Sequence, residues 1–161
     1  MADGLLPFVD VHQVEIEAPA DLVWEALLTS MPSPRTPWLL RGWAALWRAE
    51  PSDSNGLAAH VLGAERAGFA VCEVVRQTTY ALAGRHRFAR YQLVFTLGRT
   101  GVAGTRLGAE TFAEFPGSAG RAYQAMLIRT GAHAATVRYL LWRVRRRAEA
   151  AAAARHPESR S

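Results

Sequence analysis

The sequence contains no lysine: all 19 of its basic residues are arginines. A phosphate-binding loop of the Gly-x-x-x-x-Gly-Lys-Ser/Thr kind is therefore excluded, because the lysine of that loop is what reaches the phosphates. Cysteine is nearly as scarce. The single Cys72 excludes an intrachain disulfide, and its place in the apolar run Phe69-Ala-Val-Cys-Glu-Val-Val75 predicts a buried structural thiol in preference to a nucleophile. The histidines, His12, His60, His86, His133 and His156, are scattered. They form no His-x-His or His-Glu-x-x-His spacing, so no metal site is read, and no Gly-x-Ser-x-Gly marks a serine nucleophile. No apolar run approaches the roughly 20 residues of a membrane-spanning helix. The start, Met1-Ala-Asp-Gly-Leu-Leu-Pro-Phe8, lacks the basic residues and long apolar core of a signal peptide, so the expected location is the cytoplasm. None of these patterns implies a cofactor.

What is present suits one soluble domain: 161 residues with 50% hydrophobic content, enough to bury roughly 70% of the unfolded surface. The exclusive use of arginine, with many alanines and glycines, matches the coding bias of a GC-rich bacterial genome. The charge is uneven. Residues 117 to 148 hold seven arginines and no acid, whereas the rest of the chain sets twelve arginines against 14 acids. The basic character belongs to one C-terminal segment.

Val14-Glu-Ile-Glu-Ala-Pro-Ala-Asp-Leu-Val-Trp-Glu-Ala-Leu-Leu28 changes within three residues from an alternating pattern to a helical one. Val14 and Ile16 alternate with Glu15 and Glu17, as on a half-buried strand. Pro19 then suits the first position of a helix, and Asp21 complements the dipole of its first turn. The pairs Val23/Leu27 and Trp24/Leu28 give that helix a buried face. A proline-rich connection, Met31 to Pro37, leads into a second, Trp-rich helix. There Leu39, Trp43 and Trp47 recur every four residues, and Gly42 weakens the helix by roughly 1 kcal/mol. These tryptophans read either as core or as the movable wall of an apolar pocket.

Residues 49 to 66 mix turn formers with a few apolar residues and predict a long loop. Strands follow at Phe69–Val75, Thr78–Ala83, Arg87–Leu97 and Thr105–Phe115. The last two predict a hairpin around Gly98-Arg-Thr-Gly-Val-Ala-Gly104. Its odd positions, including Tyr91, Leu93, Phe95 and Thr111, face a core, while Arg90 and Arg106 pair with Glu110 and Glu114 on a solvated face. After Phe115-Pro-Gly117 the spacing of Tyr123, Leu127, Thr130, Ala134, Val137, Leu141, Val144 and Ala148 predicts one helix of about thirty residues. Its middle, Thr130-Gly-Ala-His-Ala-Ala135, carries small side chains. They leave room against the sheet, read either as close packing or as a cavity.

The order of elements, opened by Val14-Glu-Ile-Glu-Ala-Pro-Ala-Asp-Leu-Val-Trp-Glu-Ala-Leu, resembles the START-like helix-grip (SRPBCC) superfamily. That superfamily includes polyketide cyclases, lipid-transfer domains and plant pollen-allergen proteins. The resemblance covers roughly residues 9 to 147 and is concentrated in residues 14 to 28. It implies an α+β fold, a curved antiparallel sheet wrapped around a long C-terminal helix, with two short helices after the first strand. Residues 9–149 would form the domain, and 150–161 a helix extension with a disordered tail. It also implies an apolar ligand held between sheet and helix. Catalytic residues vary across the superfamily, so none is carried onto this chain.

The expected ligand-binding set is Trp43, Trp47, Arg87, Tyr91, Leu93, Phe95, Thr111, Tyr123, Leu127, Thr130, His133 and Ala134. Arg87 shares the odd phase of Tyr91, so it reads either as an anchor for a ligand carboxylate or as a solvated turn residue. His133 reads either as a polar group of the cavity or as a satisfied structural histidine. The leading function is binding of a hydrophobic small molecule or lipid. The alternative is a cyclase-like enzyme in which Arg87, Tyr91, His133 or Tyr123 polarises a carbonyl. A third is an adaptor for nucleic acid or membrane surfaces acting through the C-terminal arginines, for which no sequence-specific nucleic-acid contact is expected.

Overall fold

A computed structural model of the chain describes residues 6–31, 57, 58, 60–66 and 68–155. The chain enters on β1 (Phe8–Ile16), continues as α1 (Ala20–Ser30) and resumes at β2 (Glu65–Arg66). There follow β3 (Phe69–Val75), β4 (Thr79–His86), β5 (Ala89–Thr100) and β6 (Gly104–Glu114), then α2 (Gly117–Thr130) and α3 (Ala132–Arg155). All strand pairs are antiparallel, in the order β1-β6-β5-β4-β3-β2, so the last strand closes against the first.

Strand parity decides which side chains meet the helices. In β5 and β6 odd residues pair with odd, Tyr91 with Ala113, Leu93 with Thr111, Phe95 with Ala109 and Leu97 with Leu107. In β4 and β5, joined by a two-residue turn at Arg87 and Phe88, even residues of β4 oppose odd residues of β5: Tyr80 meets Phe95 and His86 meets Ala89. In β1 the even residues Asp10, His12, Val14 and Ile16 oppose odd residues of β6. Directly paired residues share a face, so these sets line one surface of the sheet. Half of that surface is the core. Ile16, Tyr80, Leu82, Phe95, Leu107 and Ala109 pack with Val23, Trp24 and Leu27 of α1 and with Val137, Leu141, Val144 and Ala148 of α3.

The helix entrance is as read, with a one-residue shift. Pro19 is the N-cap, its carbonyl accepting from the Leu22 and Val23 amides at 3.1 and 3.2 Å. The α3 helix is held against α1 from outside as well. Arg147 Nη1 donates to the Thr29 carbonyl at 2.8 Å, and Arg155 pairs with Asp21 at 2.8 Å.

Several expectations are corrected. The thirty-residue helix is two helices, broken at Gly131, whose φ of +61° lies in the left-handed region that strains residues with a Cβ. The Ala135 amide then donates to the Gly131 carbonyl at 2.9 Å, starting α3. Cys72 is exposed, not buried, because the β3/β4 register shifts between Val71 and Glu73. Arg106 bonds Glu15 of β1 at 3.0 Å, not a glutamate of its own hairpin, while Arg90 does face Glu114 at 3.9 Å. The strand expected from Val14 begins at Phe8, the loop ends in the short β2, and β5 begins at Ala89, not Arg87. The second, Trp-rich helix lies outside the described residues.

Candidate functional site

Where α3 begins, the packing between sheet and helix opens. From its second turn onward α3 fills the core with Val137, Leu141 and Val144, but its first turn presents His133 and Ala134 to the space after Gly131. The space left is a cavity of about 550 Å³. Its apolar wall comes from Phe69, Ala89, Leu93, Ala113 and Phe115, and α2 closes it with Tyr123 and Gln124. The volume falls within the range of small-molecule pockets, and the largely apolar lining with few polar groups is of the kind such pockets share.

One end of the cavity is aromatic. Tyr91 lies across Gly84, its strand partner, and its hydroxyl donates to the Gly68 carbonyl at 2.6 Å. A Cβ on residue 84 would overlap the Gly68 carbonyl oxygen and come within 2.7 Å of the Tyr91 ring, so glycine is required there. Phe69 meets Tyr91 edge-on with centroids 5.1 Å apart. His86 packs edge-on against Tyr123 at 5.0 Å, and Phe88 stacks on Tyr123 at 5.9 Å.

These groups are neutral donors. Burial pushes the His86 imidazole below its usual range. Its Nδ1 accepts the Phe88 amide at 3.1 Å, which leaves the proton of the neutral ring on Nε2. Burial, followed by the proximity of Tyr123, pushes the Tyr91 phenol up to about 12, and burial raises Tyr123 as well. Neither phenol is a phenolate at neutral pH.

The other end is polar. His133 Nε2 lies 3.0 Å from Thr111 Oγ1 and 3.6 Å from Asp10 Oδ1, and Asp10 Oδ2 lies 3.4 Å from His12 Nε2. Either partner of the His133–Thr111 bond can donate, according to the imidazole tautomer. At 3.6 Å the Asp10–His133 contact is an ion-pair distance but not a hydrogen bond. Asp10 Oδ1 and His12 Nε2 are buried atoms that make no hydrogen bond among the described residues. Asp10 and His133 both line the cavity.

Of the residues expected from sequence, Tyr91, Leu93, Thr111, Tyr123, His133 and Ala134 are brought together around this space. Phe95 is not among its lining residues: it is fully buried against Tyr80, with centroids 6.4 Å apart. Arg87 is corrected. It occupies the β4/β5 turn, is exposed, and lays its guanidinium over the Phe88 ring at 5.4 Å, because strand phase starts only at Ala89. Leu127 and Thr130 belong to α2, but their side chains lie outside the described part, as do Trp43 and Trp47. Sequence reasoning missed Asp10, His12 and His86. The even phase of Val14 and Ile16, continued backward, would have placed His12 and Asp10 on the same face. His86 was hidden because the two-residue turn exchanges even for odd.

No family model matches the chain, and no curated protein matches it in sequence. Solved structures do match in shape. A conserved protein from Geobacillus kaustophilus aligns with a TM-score of 0.51 at 15% identity, covering 84% of this chain and 91% of the other. A Thermobifida fusca protein gives 0.50 at 18% identity, covering 84% and 92%. CalU16 from Micromonospora echinospora gives 0.50 at 16% identity, covering 89% and 85%. At such identities the likeness concerns the fold, and with the six-stranded antiparallel sheet and long final helix it makes this an α+β helix-grip fold.

Proposed function

We propose that the protein binds a hydrophobic small molecule or lipid between the sheet and the start of α3, as a member of the START-like superfamily. The observation that carries this reading is the cavity itself. About 550 Å³ lies beside the packed core, where the start of α3 offers His133 and Ala134 instead of large apolar side chains. Interiors are close-packed, so a space of that size marks a binding site more readily than a packing fault. The aromatic end supplies area, and Tyr123, His86 Nε2 and the Asp10–His133–Thr111 group orient a ligand's polar atoms, the Tyr91 proton being held by the Gly68 carbonyl. The test is native mass spectrometry of the purified protein. A retained apolar molecule released on denaturation supports the reading, and a bare mass after exposure to mixed lipid extract counts against it.

A cyclase-like activity is the second reading, and one observation favours it. His133 is held at 3.0 Å by Thr111 and faces a carboxylate at 3.6 Å, in a cavity where Tyr91 and Tyr123 keep their protons. Tyr91 spends its proton on the Gly68 carbonyl, so a carbonyl in that space would find the Tyr123 phenol at one end and an imidazole at the other. Arg87 has no part in it. Turnover of a carbonyl substrate that is lost in His133→Gln while apolar binding persists would separate catalysis from carriage.

A further inference from the structure

We propose that the cavity selects ligands with a hydrogen-bond-donating head, an alcohol or an amine, and discriminates against carboxylic acids, with Asp10 as the selecting group. The inference rests on the ligand-binding reading above and adds the chemistry of the head group. Its basis is the sign of the charge at the site. The arginine expected to hold a carboxylate, Arg87, lies exposed in a turn, and among the described residues no arginine lines the cavity. Among the described lining residues, the formally charged side chain is the carboxylate of Asp10.

The groups around Asp10 leave it short of donors. His12 Nε2 stands 3.4 Å from Oδ2 on the same strand, His133 Nε2 stands 3.6 Å from Oδ1 across from α3, and Thr111, opposite Asp10 on β6, is engaged with His133. Oδ1 makes no hydrogen bond among the described residues. A desolvated acceptor left in this state is costly, and a charged one more so. Oδ1 is sealed from the open space, yet 28% of the Asp10 side chain remains exposed. The terminal carboxylate torsion is broad and soft, so a modest turn brings either oxygen to the cavity side. A hydroxyl or ammonium reaching that point donates to the carboxylate. A second carboxylate would meet like charge in a low-dielectric wall.

The experiment compares decylamine, decanol and decanoic acid, which share one apolar tail, by isothermal titration with the full chain, with Asp10→Asn and with Asp10→Leu. The wild type should bind the amine and the alcohol more tightly than the acid. The amine-to-acid ratio should fall about tenfold or more in Asp10→Asn, the scale of a hydrogen bond to a charged group. Asp10→Leu, which removes the acceptor altogether, should abolish the preference for the alcohol while still binding the tail. Equal affinity for all three ligands in the wild type, or a ratio unchanged in both variants, overturns the selection and leaves the cavity reading intact. Tighter binding of the acid than of the amine also overturns it. Failure of every ligand to bind, with all three proteins folded, removes the cavity reading and the selection together.

Discussion

Tyr91 Oη lies 2.6 Å from the carbonyl oxygen of Gly68, a bond that ties the middle of the sheet to the residue just before β3 across the side-chain-free Gly84. The wall of the cavity depends on it. Tyr91→Phe removes the donor and leaves the buried Gly68 carbonyl without it, which should cost about 1–3 kcal/mol. Gly84→Ala should cost at least as much, since its Cβ has no space beside the Gly68 oxygen and the Tyr91 ring. Urea denaturation of both variants measures this. Wild-type stability in Gly84→Ala would mean that the ring does not lie across residue 84.

The same phenol sets an alkaline limit. Its pKa is raised from 10.0 to about 12 in the folded protein, so the unfolded chain gives up that proton first. The stabilising contribution is complete below pH 10 and is lost as pH rises toward 12, with Tyr123 acting in the same direction. Melting temperature should therefore drop over that window in the wild type and drop less in Tyr91→Phe. Identical alkaline profiles would place Tyr91 in water.

Arg87 and Arg90 should behave alike. Arg87 caps the Phe88 ring in a turn, and Arg90 faces Glu114 on the outer surface. Arg87→Ala and Arg90→Ala are each expected to leave the affinities for decanoic acid and decanol unchanged within about twofold, because neither guanidinium reaches the cavity. A selective loss of the acid in Arg87→Ala alone would restore that residue as an anchor.

The C-terminal arginines have neighbours that account for most of them. Arg145 pairs with Glu149 at 2.9 Å, Arg147 binds the Thr29 carbonyl, and Arg143 and Arg146 lie over the Tyr139 and Trp142 rings. Affinity for DNA or anionic vesicles should be weak, independent of sequence and lost steeply with salt. A salt titration with several unrelated oligonucleotides and vesicles measures it. Tight binding to one sequence at physiological salt would favour the adaptor reading instead.

Most of the scaffold was legible in the residues. Val14, Ile16, Val23, Trp24 and Leu27 announce the strand-to-helix entrance, and the odd phase of Tyr91 to Leu97 gives the face of β5, because side-chain period follows directly from backbone geometry. The site was less legible for reasons of register. His86 joins Tyr91 because a two-residue turn pairs even with odd, and Arg87 leaves the site for the same reason. Asp10, with His12 beside it, meets His133 because the first strand pairs with the last, a contact between residues over 120 positions apart that no local pattern encodes. The break at Gly131 was visible only as a glycine among small residues; its left-handed φ ends α2 and sets the direction from which His133 enters.

The central claim is that the space at the start of α3 holds the ligand, and titration of an apolar fluorescent probe into the wild type and Ala134→Phe tests it most directly. Ala134 is half-buried and lines the cavity, so a phenyl ring there would occupy the ligand's volume without entering the packed core of Val137, Leu141 and Val144. The account predicts saturable binding to the wild type with a raised melting temperature, and affinity reduced about tenfold or more in a folded Ala134→Phe protein. Undiminished probe affinity in the folded variant would contradict it.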